Sequence, residues 1–207
     1  MTIERGQPWG VAGALPDDGV LVRTDAEARS VVEQARRAGT PPPPLGLLGG
    51  DLWRTVGGAA VADGAPMRVH GDEAMRLPVD LGHVLLDGRQ HWFVSHLVLR
   101  RSWWSGRVVA VMNAQFLGRW DVAPRGHPND GRLDVLDARL GLGDRWKARA
   151  RLPQGLHVPH PDIAERRVTS EQFELDPPLR AWLDGEPLGE VRRVSVRVEP
   201  DAVVVVV

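Results

Sequence analysis

Two acidic turns carry most of the chemistry open to this sequence. Asp184-Gly185-Glu186 lies between an apolar run ending at Leu183 and Pro187. Asp-Gly is a common turn pair. An Asp on such a turn at a domain edge can also point into a cleft and take a proton from a hydroxyl as a general base. Asp130-Gly131, after Pro128-Asn129, reads the same two ways. It is either a plain turn or a carboxylate with neighbouring backbone carbonyls, which suits a hard cation such as Mg²⁺ or Ca²⁺. His157, His160 and Asp162 are zinc-type ligands, but Pro159 and Pro161 interrupt them and leave no scaffold for tetrahedral ligation. His83, His91 and His96 fall on strand candidates and read as surface or satisfied core residues. The serines at 95, 102, 105 and 195 lack a nucleophile-elbow context. Trp103-Trp104 beside Arg100 and Arg101 reads either as a lipid-interface patch or as buried packing. Leu152-Pro153 with Arg149 and Arg151 reads as a solvated basic face.

Composition narrows these choices. The sequence has 207 residues and no cysteine, so disulfides and thiolate metal sites are excluded. It has no tyrosine, so a phenolic acid or base is excluded too. Among the 26 basic residues only Lys147 is a lysine, which confines Schiff-base or lysine-base chemistry to one position. A net charge of −1 argues against a phosphate-backbone grip on nucleic acid. No run approaches the ~20 apolar residues that span a bilayer. Glu4 and Arg5 make a poor secretory start, so a soluble cytoplasmic protein is expected.

The elements that must position these residues fall into two groups. Residues 1–19 read as an irregular lead-in. Val20–Val22 fits a short buried strand. Thr24-Asp25-Ala26-Glu27 reads as a capping box, with Thr24 accepting from the Glu27 amide and the Glu27 carboxylate reaching back to Thr24. Ala28, Val31, Val32 and Ala35 have helical spacing, and Gly39 with Pro41–Pro44 stops the helix. Leu45–Leu48 reads as a second strand, and Asp51 as the cap of a short helix through Val56. Strand, helix, strand, helix implies a small parallel sheet with a right-handed crossover.

After residue 60 the pattern becomes all-β. Leu81–Leu86 and Trp92–Leu99 flank Asp87-Gly88, a hairpin signal. Further strands are expected at Arg107–Met112, Arg132–Asp137, Phe173–Leu175, Arg180–Leu183, Val191–Val198 and Ala202–Val207. The expected class is α+β. A truncated, parallel α/β part spans 1–58, and a larger antiparallel β-sandwich spans 59–207. The short parallel sheet would leave apolar strand edges uncovered, which a homodimer would bury.

Taken in order, the motifs resemble the bacterial diacylglycerol kinase family, lipid kinases that are similar to sphingosine kinases. Leu45-Gly46-Leu47-Leu48-Gly49-Gly50-Asp51-Leu52-Trp53-Arg54-Thr55-Val56-Gly57 resembles the family's GxLPxGTGNDFARxLG with a few residues deleted. Val79-Asp80-Leu81-Gly82 resembles its xDLG. Asn113–Gly118, Ala123-Pro124 and Asn129–Val135 resemble NGxxxGGG…AP…PDDGxLDV, and Leu183–Pro187 resembles the terminal xDGE. The resemblance implies a nucleotide-binding α/β domain and a lipid-binding β-sandwich, with transfer of the γ-phosphoryl of ATP to a lipid hydroxyl between them. By motif match it implies Asp184 as base, and Asp130 with the Leu133 carbonyl around a structural Mg²⁺. It places Asp25, Asp51, Arg54 and Thr55 near the nucleotide.

The phosphate loop departs from the family. Where the family has GGDGT, this sequence has Arg23-Thr24-Asp25-Ala26-Glu27. Asp25 matches, but all three glycines are gone. Glycine lets backbone approach phosphate at positive φ, and another residue there costs ~1–2 kcal/mol. Glu27 adds a like charge, worth ~4 kcal/mol of repulsion at 4 Å and an effective dielectric of about 20. The reading favoured is an impaired lipid-kinase homologue that acts as a lipid- or protein-binding or regulatory module. The alternatives are an active ATP-dependent lipid kinase, using arginines such as Arg23 and Arg54, and an unrelated β-sandwich adaptor.

Overall fold

A computed structural model of the chain describes residues 9–58 and 68–207. The first eight residues of the expected lead-in, and the start of the expected second domain, lie outside that set. Among the described residues eleven strands form one continuous sheet. Its path runs β1 (Val11–Ala12), β4 (Met75–Leu86), β13 (Glu186–Val206), β12 (Ser170–Leu183), β6 (His96–Arg100), β7 (Val108–Met112), β10 (Leu133–Ala138) and β11 (Ile163–Val168). The strand β5 (Arg89–Phe93) pairs with β4. A separate ribbon joins β8 (Phe116–Leu117) to β9 (Trp120–Asp121).

The sheet is antiparallel except at one end. There β2 (Val20–Val22) pairs in parallel with β3 (Leu45–Leu47), and β3 pairs in parallel with Val205 and Val206 of β13. The small parallel piece is therefore continuous with the larger β part through β13. Residues from β4, β5, β6, β7, β10, β12 and β13 share one apolar core that includes Phe93, Leu97, Leu99, Leu133 and Leu183. Strands far apart on the path meet in that core, so the sheet folds over on itself as a sandwich.

Helix α1 (Asp25–Arg37) forms where the local signals place it. Thr24 accepts from the Glu27 amide at 3.1 Å, but the Glu27 carboxylate accepts from the Arg23 amide at 2.7 Å rather than from Thr24. Ala28 and Val32 bury one face against Leu45, Leu47, Val79 and Val205. Other contacts of α1 are polar and long-range. Arg29 pairs with Glu186, Arg36 with Glu199 at 3.0 Å, and Glu33 with His91 at 3.4 Å. Three turns of one helix thus fasten it along β13 and β5. Helix α2 (Asp51–Thr55) is short, and Arg145, Ala148 and Arg149 of α3 (Leu142–Arg151) line a cavity together with Ala110, Leu136 and Ile163 of a second apolar cluster.

Several expected strands fuse. The two short candidates at 173–175 and 180–183 are parts of β12, whose register with β13 shifts between Glu174 and Leu179. The candidates at 191–198 and 202–207 are both β13, with an irregularity between Glu199 and Val203 and Asp201 at φ 50. The expected hairpin at Asp87-Gly88 is present with both φ positive, at 47 and 84. That matches the turn that right-twisted strands favour. The second arm stops at Phe93, and His96 opens a new strand.

Candidate functional site

The break between Phe93 and His96 is where the candidate site is built. Asp184 opens the turn from β12 to β13 in the left-handed region, at φ 48, followed by Gly185 at φ 87. Its carboxylate accepts three backbone amides. Oδ2 takes Val94 at 3.0 Å, and Oδ1 takes Ser95 at 2.9 Å and His96 at 3.0 Å. Its own amide donates to the His96 carbonyl at 3.0 Å. Asp184 therefore holds the 94–96 corner in place and faces the protein interior, not an open cleft. Burial raises its pKa, while His96 and the three amides pull the other way.

The N-terminus of α2 lies beside it. The sequence reading makes Asp51 the cap, but Asp51 is the first helical residue and its cap position is Gly50. The capping carboxylate comes instead from Asp25. It accepts from the amides of Asp51 at 2.6 Å and Leu52 at 3.2 Å. Gly50 sits at φ 100, and a Cβ there would lie 2.5 Å from Asp25 Oδ1, so only glycine fits this approach. Burial first, then the charge of Asp184, pushes Asp25 up to about 7.

Asp51 closes the cluster. Its Oδ1 accepts from the Gly118 amide at 2.8 Å, and its Oδ2 lies 3.1 Å from His96 Nε2. Burial lowers the His96 pKa, but the hydrogen bond to Asp51 and the charges of Asp184, Asp51 and Asp25 outweigh it, and the net shift is upward. Among the described residues Asp25, Asp51 and His96 form the grouping whose ligand-type atoms all lie within 4.8 Å of one another. Each carboxylate oxygen in it already has a protein donor.

Arg54 and Thr55 turn toward the β8–β9 ribbon. Arg54 donates to the Gly118 carbonyl at 2.7 Å and stacks 3.8 Å from the Phe116 ring centroid. Thr55 donates to the Asp51 carbonyl at 2.7 Å and accepts from the Gln115 amide at 3.0 Å. The fold thus gathers Asp25, Asp51, Arg54, Thr55 and Asp184 into one neighbourhood. Asp130 and Leu133 stand apart from it. Two cavities, of about 360 and 110 Å³, are both lined by other residues than Asp25, Asp51, His96 and Asp184.

Three architectural residues of the motifs were not singled out by type and spacing. Asp80 is fully buried in β4 and accepts from the amides of Gly131 at 2.7 Å and Asp201 at 3.0 Å. Asn113 donates to the carbonyls of Asp80 and Val94, both at 2.8 Å. Asn129 donates to Asp201 at 2.8 Å. The lone acid inside the apolar run Leu77–Leu86 is the signal that marks Asp80.

Against this geometry, residues 81–207 match the sequence model of the YegS C-terminal NAD kinase beta sandwich-like domain. The chain belongs to the YegS C-terminal domain family. Membership sets aside the alternative of an unrelated β-sandwich adaptor. Solved structures from Bacillus anthracis str. Sterne share the fold. One, named a diacylglycerol kinase, has a TM-score of 0.67 and 15% identity over 91% of this chain and 75% of its own. Another, provisionally named a diacylglycerol kinase, has a TM-score of 0.70 and 15% identity over 91% of this chain and 77% of its own. No curated protein matches the sequence. No helix among the described residues is long and apolar enough to cross a membrane.

The motif resemblance to the bacterial diacylglycerol kinases implies a structural Mg²⁺ at Asp130 and the Leu133 carbonyl. Here Asp130 Oδ1 accepts from the Arg132 amide at 3.0 Å, and Oδ2 is ion-paired with Arg167. The same guanidinium lies 3.2 Å from Asp134 through Nε. A positive group already fills the mouth of this carboxylate pair, so the residues as they stand do not fit a divalent cation.

Proposed function

We propose that this YegS-family chain is an impaired lipid-kinase homologue that works as a binding or regulatory module. The observation that carries this reading is the use of both key carboxylates. A helix N-terminus with free amides is a natural phosphate seat. At α2 the Asp25 carboxyl group already takes the Asp51 and Leu52 amides, so those donors are not open to a phosphate. A general base needs a lone pair within reach of a hydroxyl. Asp184 directs its oxygens at three backbone amides of a buried corner. The ion pairs of Arg29 and Arg36 also press α1 against the sandwich, where an inter-domain cleft would open.

Isothermal titration of the chain with Mg-ATP tests the reading. The expected result is no heat of binding at micromolar to sub-millimolar nucleotide. Micromolar affinity overturns it.

An outward apolar face supports the binding role. Leu142, Trp146 and Leu156 are 72%, 70% and 66% exposed beside Lys147, Arg149 and Arg151. Exposed aromatic and aliphatic side chains on a basic segment suit the headgroup region of a membrane surface.

A second reading, an active ATP-dependent lipid kinase, is favoured by one observation. Asp25, Asp51, His96 and Asp184 remain assembled as one cluster in which the proton affinities of Asp25, His96 and Asp184 are raised. Transfer of radiolabel from ATP to diacylglycerol or sphingoid bases above a heat-killed control, abolished in Asp184→Asn, would establish it.

A further inference from the structure

The inference concerns the loop between β9 and β10, away from the Asp184 cluster. We propose that Arg167 is the resident cation of this loop: its guanidinium does the work the resemblance assigns to a divalent metal, and removing it would open a seat for one. This holds whether or not the chain transfers phosphate.

The placement follows from the sheet register. Arg167 on β11 is the direct antiparallel partner of Asp134 on β10. Cross-strand partners of opposite charge lie close enough to pair. From there the planar guanidinium reaches two carboxylates with two different edges, Nη2 to Asp130 and Nε to Asp134. A fixed fork of donors makes arginine suited to bridging in this way. The pair it bridges is partly withdrawn from water. The side chains of Asp130 and Asp134 are 17% and 6% exposed, against 39% for Arg167.

The surroundings are acidic. Asp130 and Glu165 both bring negative charge to bear on Asp134, and the Arg167 guanidinium acts against them. Asp80 holds the same loop from below through Gly131, and the Asp80 amide donates to Pro128 at 2.7 Å. Two carboxylates set side by side repel unless a cation lies between them. Oxygen donors gathered in this way are what Mg²⁺ and Ca²⁺ take. A guanidinium in the gap supplies the positive charge and excludes the ion.

Thermal unfolding separates the two cases. Wild type and Arg167→Ala are melted in EDTA, MgCl₂ and CaCl₂ at matched ionic strength. The wild-type midpoint is expected to be the same in all three. The variant is expected to melt several degrees lower in EDTA and to recover in millimolar Ca²⁺ or Mg²⁺. Adding Asp130→Asn to the variant should abolish that recovery. Paramagnetic titration with Mn²⁺ provides a direct reading, with one ion bound by the variant and none by wild type. Arg167→Gln, which keeps most of the aliphatic stem, replaces the alanine variant if that chain fails to fold. Wild type gaining stability from Mg²⁺, or binding Mn²⁺ in a way that Asp130→Asn removes, overturns the proposal. So does an arginine-less variant that is as stable as wild type in EDTA or indifferent to all three ions.

Discussion

Asp184→Asn is the perturbation that best separates a base from a structural clamp. A base is lost by this change while the fold stays intact. A clamp is lost together with stability. In the native corner Oδ2 accepts the Val94 amide at 3.0 Å, and Oδ1 accepts those of Ser95 and His96. Asparagine offers only one acceptor oxygen. With its oxygen kept toward Ser95 and His96, the NH₂ group points at the Val94 N–H and leaves that buried donor unpaired, a cost of ~1–3 kcal/mol. Turning the amide over strands two donors and is worse. The two remaining hydrogen bonds also lose their charge assistance, and removal of a buried negative charge offsets part of that. The net expectation is a loss of ~2–3 kcal/mol. For a domain of this size that lowers the midpoint by ~5–10 °C. Urea unfolding followed by tryptophan fluorescence measures it, with the slope unchanged. A variant within ~0.5 kcal/mol of wild type would refute the assignment of Asp184 as the clamp of the 94–96 corner.

Two further outcomes follow from the same geometry. Asp25 rises from 3.8 to about 7 in the folded chain, so the stability linked to its protonation is complete below pH 4 and is lost as pH climbs through 7. The rise corresponds to ~4 kcal/mol at most, so Asp25→Asn should cost ~2–4 kcal/mol more at pH 4 than at pH 8, read from urea midpoints of both proteins at each pH; a pH-independent difference would contradict it. Gly82→Ala places a Cβ 2.0 Å from the Phe93 ring, so it should destabilise by ~3 kcal/mol or more, and a melting point equal to wild type would contradict this packing.

What could be read from the sequence depended on how local the cause was. Helix α1 has its hydroxyl cap, its apolar spacing and its proline stop within twenty residues, and it forms as expected. The Asp87-Gly88 turn carries its own backbone preference and was equally legible. β13 reads as two strands because Glu199-Pro200-Asp201 looks like an interruption. In the fold it is an irregularity that β4 bridges on both sides. β11 leaves no apolar alternation to read, because Ala164 and Glu165 are exposed and only Ile163 of the strand is buried. α3 gives little helical signal because its buried positions are few, Arg145 and Ala148, and only its end, Arg149 and Arg151 before Leu152-Pro153, stands out as a basic face. His96 reads from the sequence as a surface or satisfied core residue, with nothing to choose between them. It is buried, and its partner Asp51 lies 45 positions upstream, a pairing that no local pattern carries. The candidate site was legible in its aspartates and not in what they bond. Motif position marks which residues meet, whereas the amides that consume their oxygens come from chain geometry.

The parallel register of β3 against Val205 and Val206 has a consequence for how the protein is made. Val20–Val22 and Leu45–Leu47 are synthesised early, yet the strand that docks them to the main sheet emerges more than 150 residues later. Until then their paired edge has nothing native to lean on, and contacts between such distant segments form slowly. Assembly of the amino-terminal third is therefore tied to completion of the last valines, and a nascent chain paused before them should be recognised by chaperones rather than sit quietly half-built.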